Sequence, residues 1–226
     1  MIQTLLQSAD WLYVSENVGL LFSGLLVTVA LTLTSILLGF VVGFPAGAVE
    51  VYGSGWLKRA VERAGVILRG TPVLVIIMVF FFVISLSDSA FVTAMFALGL
   101  RSAAYQSQIF RGSLQSVDDG QLEAARAIGM GRLEAIRHVV VPQALRRSVP
   151  GFQNEFTIVL KDTSIAIVIG LGELLTVGQN LYEGGRSTAA LEIFLVVSLI
   201  YFIMTFGTNR VLDLINDSFA IPEGTA

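Results

Sequence analysis

A chain of 226 residues that is 54% hydrophobic and only 14% charged, with a mean hydropathy of +0.78, is too apolar for a soluble domain, in which about a quarter of residues are charged. It has no cysteine, which excludes disulfides and thiolate metal sites, and a single histidine, His138, which has no imidazole partner for a zinc cluster. A net charge of -3 gives no overall attraction to nucleic acid. The class that remains is an all-α polytopic membrane protein.

No positive residue precedes Lys58, so the first apolar segment lacks the basic lead of a cleavable signal and is expected to stay in the protein. Trp11 and Tyr13 are placed on a short amphipathic lead-in, as interfacial aromatics. No charge occurs between Glu16 and Glu50, more than the roughly 20 residues that cross a bilayer as a helix, and span one is placed over 18–44. Within it Gly39, Gly43 and Gly47 fall at i, i+4 and i+8 and bare one helical face for close approach of another helix. That glycine is simply common in membrane helices is the alternative. Pro45 is expected to kink or end the helix.

Span two is expected over 71–85, behind Lys58, Arg59, Arg63 and Arg69. Span three covers 89–110 and contains Arg101. Span four lies within 149–171 despite Glu155, Lys161 and Asp162, and span five covers 191–207. Lys and Arg number none in 1–17, four in 50–70, none in 85–90, six in 111–147, one in 172–190 and one after 207. By the positive-inside rule this alternation predicts five transmembrane helices, N-terminus outside and C-terminus inside. No repeat or linker divides the chain, so 1–226 is expected to be a single membrane domain, with a poorly ordered tail over 217–226.

The cytoplasmic stretch between spans three and four is EAARAIGMGRLEAIRHVVVPQAL, residues 123–145. Asp118 and Asp119 offer N-caps, and Ser116 with Asp119 has the spacing of a capping box. Gly129 and Gly131 weaken the first helix, and Pro142 is expected to stop the second. Two short helices at an angle result. Leu133, Ile136 and Val140 fall at i, i+3 and i+7 and are expected to form an apolar stripe. On these residues alone, an amphipathic helix on the lipid surface is the competing reading.

Glu123-Ala124-Ala125, three residues, Gly129, nine residues, Val139, one residue, then Val141-Pro142 resembles the EAA motif of ABC-importer permeases, EAA-x3-G-x9-I-x-L-P, with valine at both aliphatic positions. Arg69-Gly-Thr-Pro72, residues 104–112 (AYQSQIFRG), Asn154-Glu-Phe156 and Leu160-Lys-Asp-Thr-Ser164 are similar to the polar amino-acid uptake permeases, and this likeness covers nearly the whole chain. Gln108 departs from it, since many members carry Glu there. The resemblance implies a coupling segment, 116–145, in which Glu123, Ala124, Ala125, Gly129 and Pro142 serve a cytoplasmic ATPase. Glu123 could pair with a basic residue of that partner, cap its own helix or stay solvated. It also implies two ATPase copies, a second permease copy or a homologous permease, an extracytoplasmic amino-acid-binding protein meeting loops 86–90 and 172–190, and the plasma (inner) membrane of a prokaryote. ATP and Mg would be bound by the ATPase; no cofactor is expected in this chain.

A charge at the centre of a membrane helix is unfavourable by about 3 kcal/mol on translocon scales, so Arg101, Glu155, Lys161 and Asp162 should face one another or a cavity. Arg101, Tyr105 and Gln108 share one face of span three, and Glu155 and Asp162 one face of span four. A cavity with these groups offers partners to both the ammonium and the carboxylate of an amino acid. Mutual neutralisation within the bundle is the alternative. The resemblance places the substrate site around Asp162 and Thr163, giving Arg101, Tyr105, Gln108, Glu155, Asp162 and Thr163 as candidates. Neither Lys58 nor Lys161 follows a phosphate-binding glycine loop, so ATP chemistry must come from a partner. No HExxH or serine–base pair suggests an intramembrane enzyme. An ion-coupled secondary transporter could use Glu155 and Asp162 but leaves the central motif without a purpose.

Overall fold

A computed structural model describes residues 8–184 and 186–219. The regular elements of the described residues are all helices, without a strand. In chain order the elements are α1 (Ser8–Glu16), α2 (Val18–Tyr52), α3 (Gly55–Gly70), α4 (Val73–Met78) running into a π turn at Val79–Val83, and α5 (Ala90–Gln115). Then follow α6 (Asp119–Ala127), α7 (Arg132–Ala135) with a π turn at Ile136–Val140, α8 (Val141–Asp162) with a 3-10 turn at Thr163–Ile169, α9 (Leu174–Gly184), a 3-10 turn at Ser187–Ala189, and α10 (Ala190–Phe219). The tail expected over 217–226 lies outside the described residues beyond Phe219.

Two of these stretches, Val18–Tyr52 and Ser187–Leu214, are long and apolar enough to cross a membrane. Span two differs from expectation. Its helical part, 73–83, is 11 residues long, about 16 Å of rise. Thr71 (φ -98°, ψ 130°) is extended ahead of Pro72, as the proline ring demands of the residue before it. The basic approach is itself a helix, α3, rather than a loop, and the segment 172–190 contains α9.

Of the two outcomes expected at Pro45, a kink or an end, the end does not occur, and Pro142 does not stop its helix either. Pro45 lies inside α2, which runs on to Tyr52. The neighbouring Gly43 and Gly47 are pressed against the backbone of α5, and this packing holds α2 together where its ladder lacks one N–H. Pro142 follows directly on the π turn at Ile136–Val140, inside a helical run that is unbroken from Arg132. The π turn at Ile136–Val140 delivers the chain to it and widens the preceding turn where the proline ring would otherwise crowd a carbonyl.

The chain forms two compact units, one of residues 1–35, 72–98 and 157–208, the other of 36–71, 99–156 and 209–226. In the first, Val14, Leu21, Leu174, Leu181, Ile193 and Val197 form a buried cluster that joins α1, α2, α9 and α10. Tyr13 from the expected lead-in donates to the Leu181 carbonyl (3.2 Å), while Trp11 stays exposed. Asp10, which is buried, receives Arg186 Nε at 2.8 Å and the Thr188 hydroxyl at 3.1 Å.

The second unit is built on the glycine face. A Cβ at Gly43 would stand 2.6 Å from the Ala103 carbonyl oxygen, and one at Gly47 2.7 Å from that of Ser107. At Gly39 it would meet the Gln106 amide at 2.4 Å. The three glycines therefore let α2 and α5 touch backbone to backbone. Phe44 and Phe152 pack edge-on against the buried Phe110, each 4.7 Å between ring centres, closing the same seam.

Candidate functional site

The motif segment has the expected helix–bend–helix form. Asp118 caps α6 by accepting from the Gly120 N–H at 2.7 Å. The Ser116 hydroxyl donates instead to the Ser113 carbonyl, at 2.8 Å, so Asp118 and not Ser116 does the capping. Gly129 has φ +97° with open space where a Cβ would stand. This left-handed residue reverses the chain while its N–H reaches the Arg126 carbonyl (3.0 Å) and that of Met130 the Ala125 carbonyl (3.1 Å). Glu134 then accepts from the Gly131 N–H at 3.3 Å and starts α7.

Within the segment Ala125 and Ala135 are buried, whereas Glu123 and Ala124 are exposed. The expected Leu133–Ile136–Val140 stripe does not form as one face. Val140 is buried with Leu114, Val117 and Ala144, but Leu133 points outward at 79% exposure. The start of α7 at Arg132 and the wider π turn shift the helical phase between Leu133 and Val140. Leu133 and Ile128, the latter 78% exposed, thus stand as large apolar side chains on the outside of the bend.

Of the intramembrane candidates, Arg101, Tyr105, Gln108 and Glu155 belong to the second unit. The Arg101 guanidinium lies over the Tyr105 ring, 4.7 Å from its centre, and the Tyr105 hydroxyl reaches the Arg69 carbonyl at 3.5 Å. Glu155, buried, accepts from the Ser102 hydroxyl at 2.8 Å. Gln106, fully buried, donates to Ser102 Oγ (3.0 Å) and to the Ile36 carbonyl (3.2 Å). Gln108 turns elsewhere. Its amide donates to both oxygens of Glu50, at 2.9 and 2.7 Å, and Ser107 (3.3 Å) and Arg111 (3.6 Å) complete the shell of that buried carboxylate.

Asp162 and Thr163 belong to the first unit. Asp162 is the last residue of α8, and the buried Thr163 hydroxyl donates to the Leu160 carbonyl at 2.7 Å. Nearby, Glu173 is fully buried and serves as the N-cap of α9. Its carboxylate accepts from the Leu175 N–H, the Thr176 N–H and the Thr176 hydroxyl, each at 2.8 Å, and from the Tyr201 hydroxyl at 2.9 Å. Four donors on one carboxylate satisfy a charge that would otherwise be prohibitive there. Lys161 lies at the edge of an open 330 Å³ hollow with Ser164, Ser198 and Tyr201.

Glu50, Ser102, Gln106 and Glu173 escaped sequence reasoning. The i, i+4 spacing of Ser102 and Gln106 opposite a glycine face was a usable signal; the 58-residue separation of Glu50 from Gln108 left none. Glu173 followed by Thr176 reads in retrospect as a cap signature. Among the described residues no group of three or more His, Asp or Glu side chains is placed to hold a metal.

The chain is 34% identical over 209 residues to the glutamine transport system permease protein GlnP of Escherichia coli (strain K12), covering 90% of this chain and 94% of that protein. It is 35% identical over 208 residues to the octopine transport system permease protein OccM of Rhizobium radiobacter, covering 86% and 84%. Its fold superposes on a crystal structure of an amino acid ABC transporter with histidines at a TM-score of 0.84, with 29% identity over 94% of this chain and 100% of that one. Residues 35–220 match the model of one family. A helical chain that carries the EAA–Gly–Pro bend between α5 and α8 therefore belongs to the binding-protein-dependent transport system inner membrane components.

Proposed function

We propose that this chain is the permease subunit of an ATP-driven importer that takes polar amino acids from an extracytoplasmic binding protein across the inner membrane of a prokaryote. The observation that carries this reading is the central bend: α6 and α7 joined at a left-handed Gly129, with Ile128 and Leu133 exposed. An apolar pair on a protruding helical corner suits docking in a groove of a cytoplasmic ABC ATPase, which would bind ATP and Mg. Relatives named for glutamine and octopine transport, and a likeness to an amino acid ABC transporter, support the substrate class. An ion-coupled secondary transporter is disfavoured by the family and leaves the bend without a partner.

The full assignment is a single membrane domain over 1–226, crossing five times with the N-terminus outside and 116–145 inside. Span two is assigned to 71–85, with the basic helix α3 as its cytoplasmic approach. The Lys and Arg distribution supports this orientation. Glu123, Ala124, Ala125, Gly129 and Pro142 shape the coupling segment: Ala125 by packing inward, Ala124 and Glu123 by facing the partner, and Gly129 and Pro142 by setting the bend. Arg101, Tyr105, Glu155, Asp162 and Thr163 are assigned to the translocation path, and Gln108 contributes to it through Glu50. Two ATPases and a second permease, identical or homologous, complete the importer.

The test is substrate-stimulated ATPase activity of the reconstituted complex with its binding protein, across the amino acids. Vanadate-sensitive stimulation by a polar amino acid is expected. Uptake driven by an ion gradient without ATP would overturn the proposal.

A further inference from the structure

Outside the residues assigned above, the second unit holds a narrow cleft of about 150 Å³ bounded by α2, α3 and α5. Its walls are Val42 and Ala46, Ala64 and Leu68, and Leu100 and Ala103, with Ser107 the one hydroxyl. Drug-sized ligands occupy pockets of about 300–1,000 Å³, so the cleft is too small for one. Its size and apolar lining suit a segment of a single linear hydrocarbon chain.

The helix on one side of this cleft is the most basic element in a chain whose net charge is -3. In α3, Lys58, Arg59, Arg63 and Arg69 stand against Glu62, four positive to one negative, a local +3 in 16 residues. Lys58, Val61, Gly65 and Leu68 fall at i, i+3, i+7 and i+10, so Lys58 lies on the cleft-facing stripe at its N-terminal end. That end follows directly on Tyr52, where the long apolar α2 stops. Arg69, at the other end, is committed to the Ala104 carbonyl at 2.8 Å. Lys58 makes no hydrogen bond or ion pair among the described residues.

We propose that this cleft seats one acyl chain of an anionic phospholipid, with the Lys58 ammonium holding the phosphate at the mouth. The apolar slot supplies the fit to a chain, and the Lys58 ammonium supplies the selection for an anionic over a zwitterionic headgroup. The small residues Ala46, Ala64, Gly65 and Ala103 keep the slot open. The inference requires that the chain be embedded in a membrane and is independent of which solute it carries.

The permease, in complex with its ATPase, is extracted from bilayers holding equal amounts of phosphatidylglycerol and phosphatidylcholine with matched acyl chains, and retained lipids are counted by native mass spectrometry. Phosphatidylglycerol should exceed phosphatidylcholine by about fivefold, the factor corresponding to one cation near an anionic surface. Lys58→Gln should bring that ratio close to one, and Ala64→Leu, at an exposed position, should remove the retained lipid. A ratio of one in the unaltered protein, or retention that survives both substitutions, overturns the proposal. Because the chain has no cysteine, Ala64→Cys gives a clean second readout. Disulfide-linked dimers through this residue would mean that a second copy, and not lipid, covers the cleft.

Discussion

Glycines at Gly43 and at Gly129 do opposite work. At Gly43 the backbone is ordinary helix, and what matters is the missing side chain: a Cβ would stand 2.6 Å from the Ala103 carbonyl. At Gly129 nothing lies within 4 Å of the position a Cβ would take, and what matters is φ +97°. The seam between α2 and α5 is thus held by proximity, and the α6–α7 bend by torsion. The first belongs to the fold, the second to the shape of an exposed corner that the fold carries.

The comparison breaks if the two sites respond alike to substitution. The largest effect is expected at the seam. Gly43→Leu must push two backbones apart and should lower stability by about 3 kcal/mol, at the upper end of typical overpacking penalties, read as a fall in the thermal midpoint of the detergent-solubilised permease. An unchanged midpoint would mean that the helices separate without loss. Gly39→Ala should be milder, because its nearest neighbour is the Gln106 side-chain amide, which can shift by giving up a hydrogen bond, rather than backbone.

A second prediction concerns the polar side of the same seam. Gln108→Glu sets a second carboxylate against Glu50, where the Gln108 amide now donates at 2.7 Å. Like charges this close should destabilise by about 2 kcal/mol despite Arg111 nearby. Glu50→Gln in the same chain should restore most of the loss, because one carboxylate and one amide are again paired. Failure of the double variant to recover would place the fault in backbone packing instead.

How much of this was legible in the sequence follows the range of the interactions. The α6–α7 bend was readable because Asp118, Gly129 and Gly131 act on their own neighbours, within a few residues. The glycine face of α2 was readable as a pattern, but that it meets Ala103, Gln106 and Ser107 was not, since those lie about 60 positions on. Pro45 misled because its local preference was outweighed by tertiary packing, and Pro142 because the π turn before it absorbed the clash. The start of α9 carries a local signal, Glu173 accepting from Leu175 and Thr176, and only the fourth donor, Tyr201, lies 28 residues away. Leu133 was assigned to the wrong face because a constant 3.6-residue period was assumed across a segment that changes helix type.

The smallest change in stability, with the most informative change in activity, is expected at Gly129. An L-residue in the left-handed region is disfavoured by about 1–2 kcal/mol, and this penalty falls on an exposed turn rather than on the seam, so Gly129→Val should leave the permease inserted and lower its thermal midpoint by only a few degrees. If the bend couples ATP hydrolysis to transport, the variant complex should keep hydrolysing ATP while substrate uptake falls. Asparagine tolerates the left-handed conformation better than valine, so Gly129→Asn should recover uptake in part. Gly129→Ala separates torsion from size: torsion ranks asparagine above the smaller alanine, whereas a purely steric role would rank alanine above asparagine, although the open space at Gly129 offers size little to act on. Loss of insertion in Gly129→Val would instead assign the bend to folding and remove the distinction from Gly43.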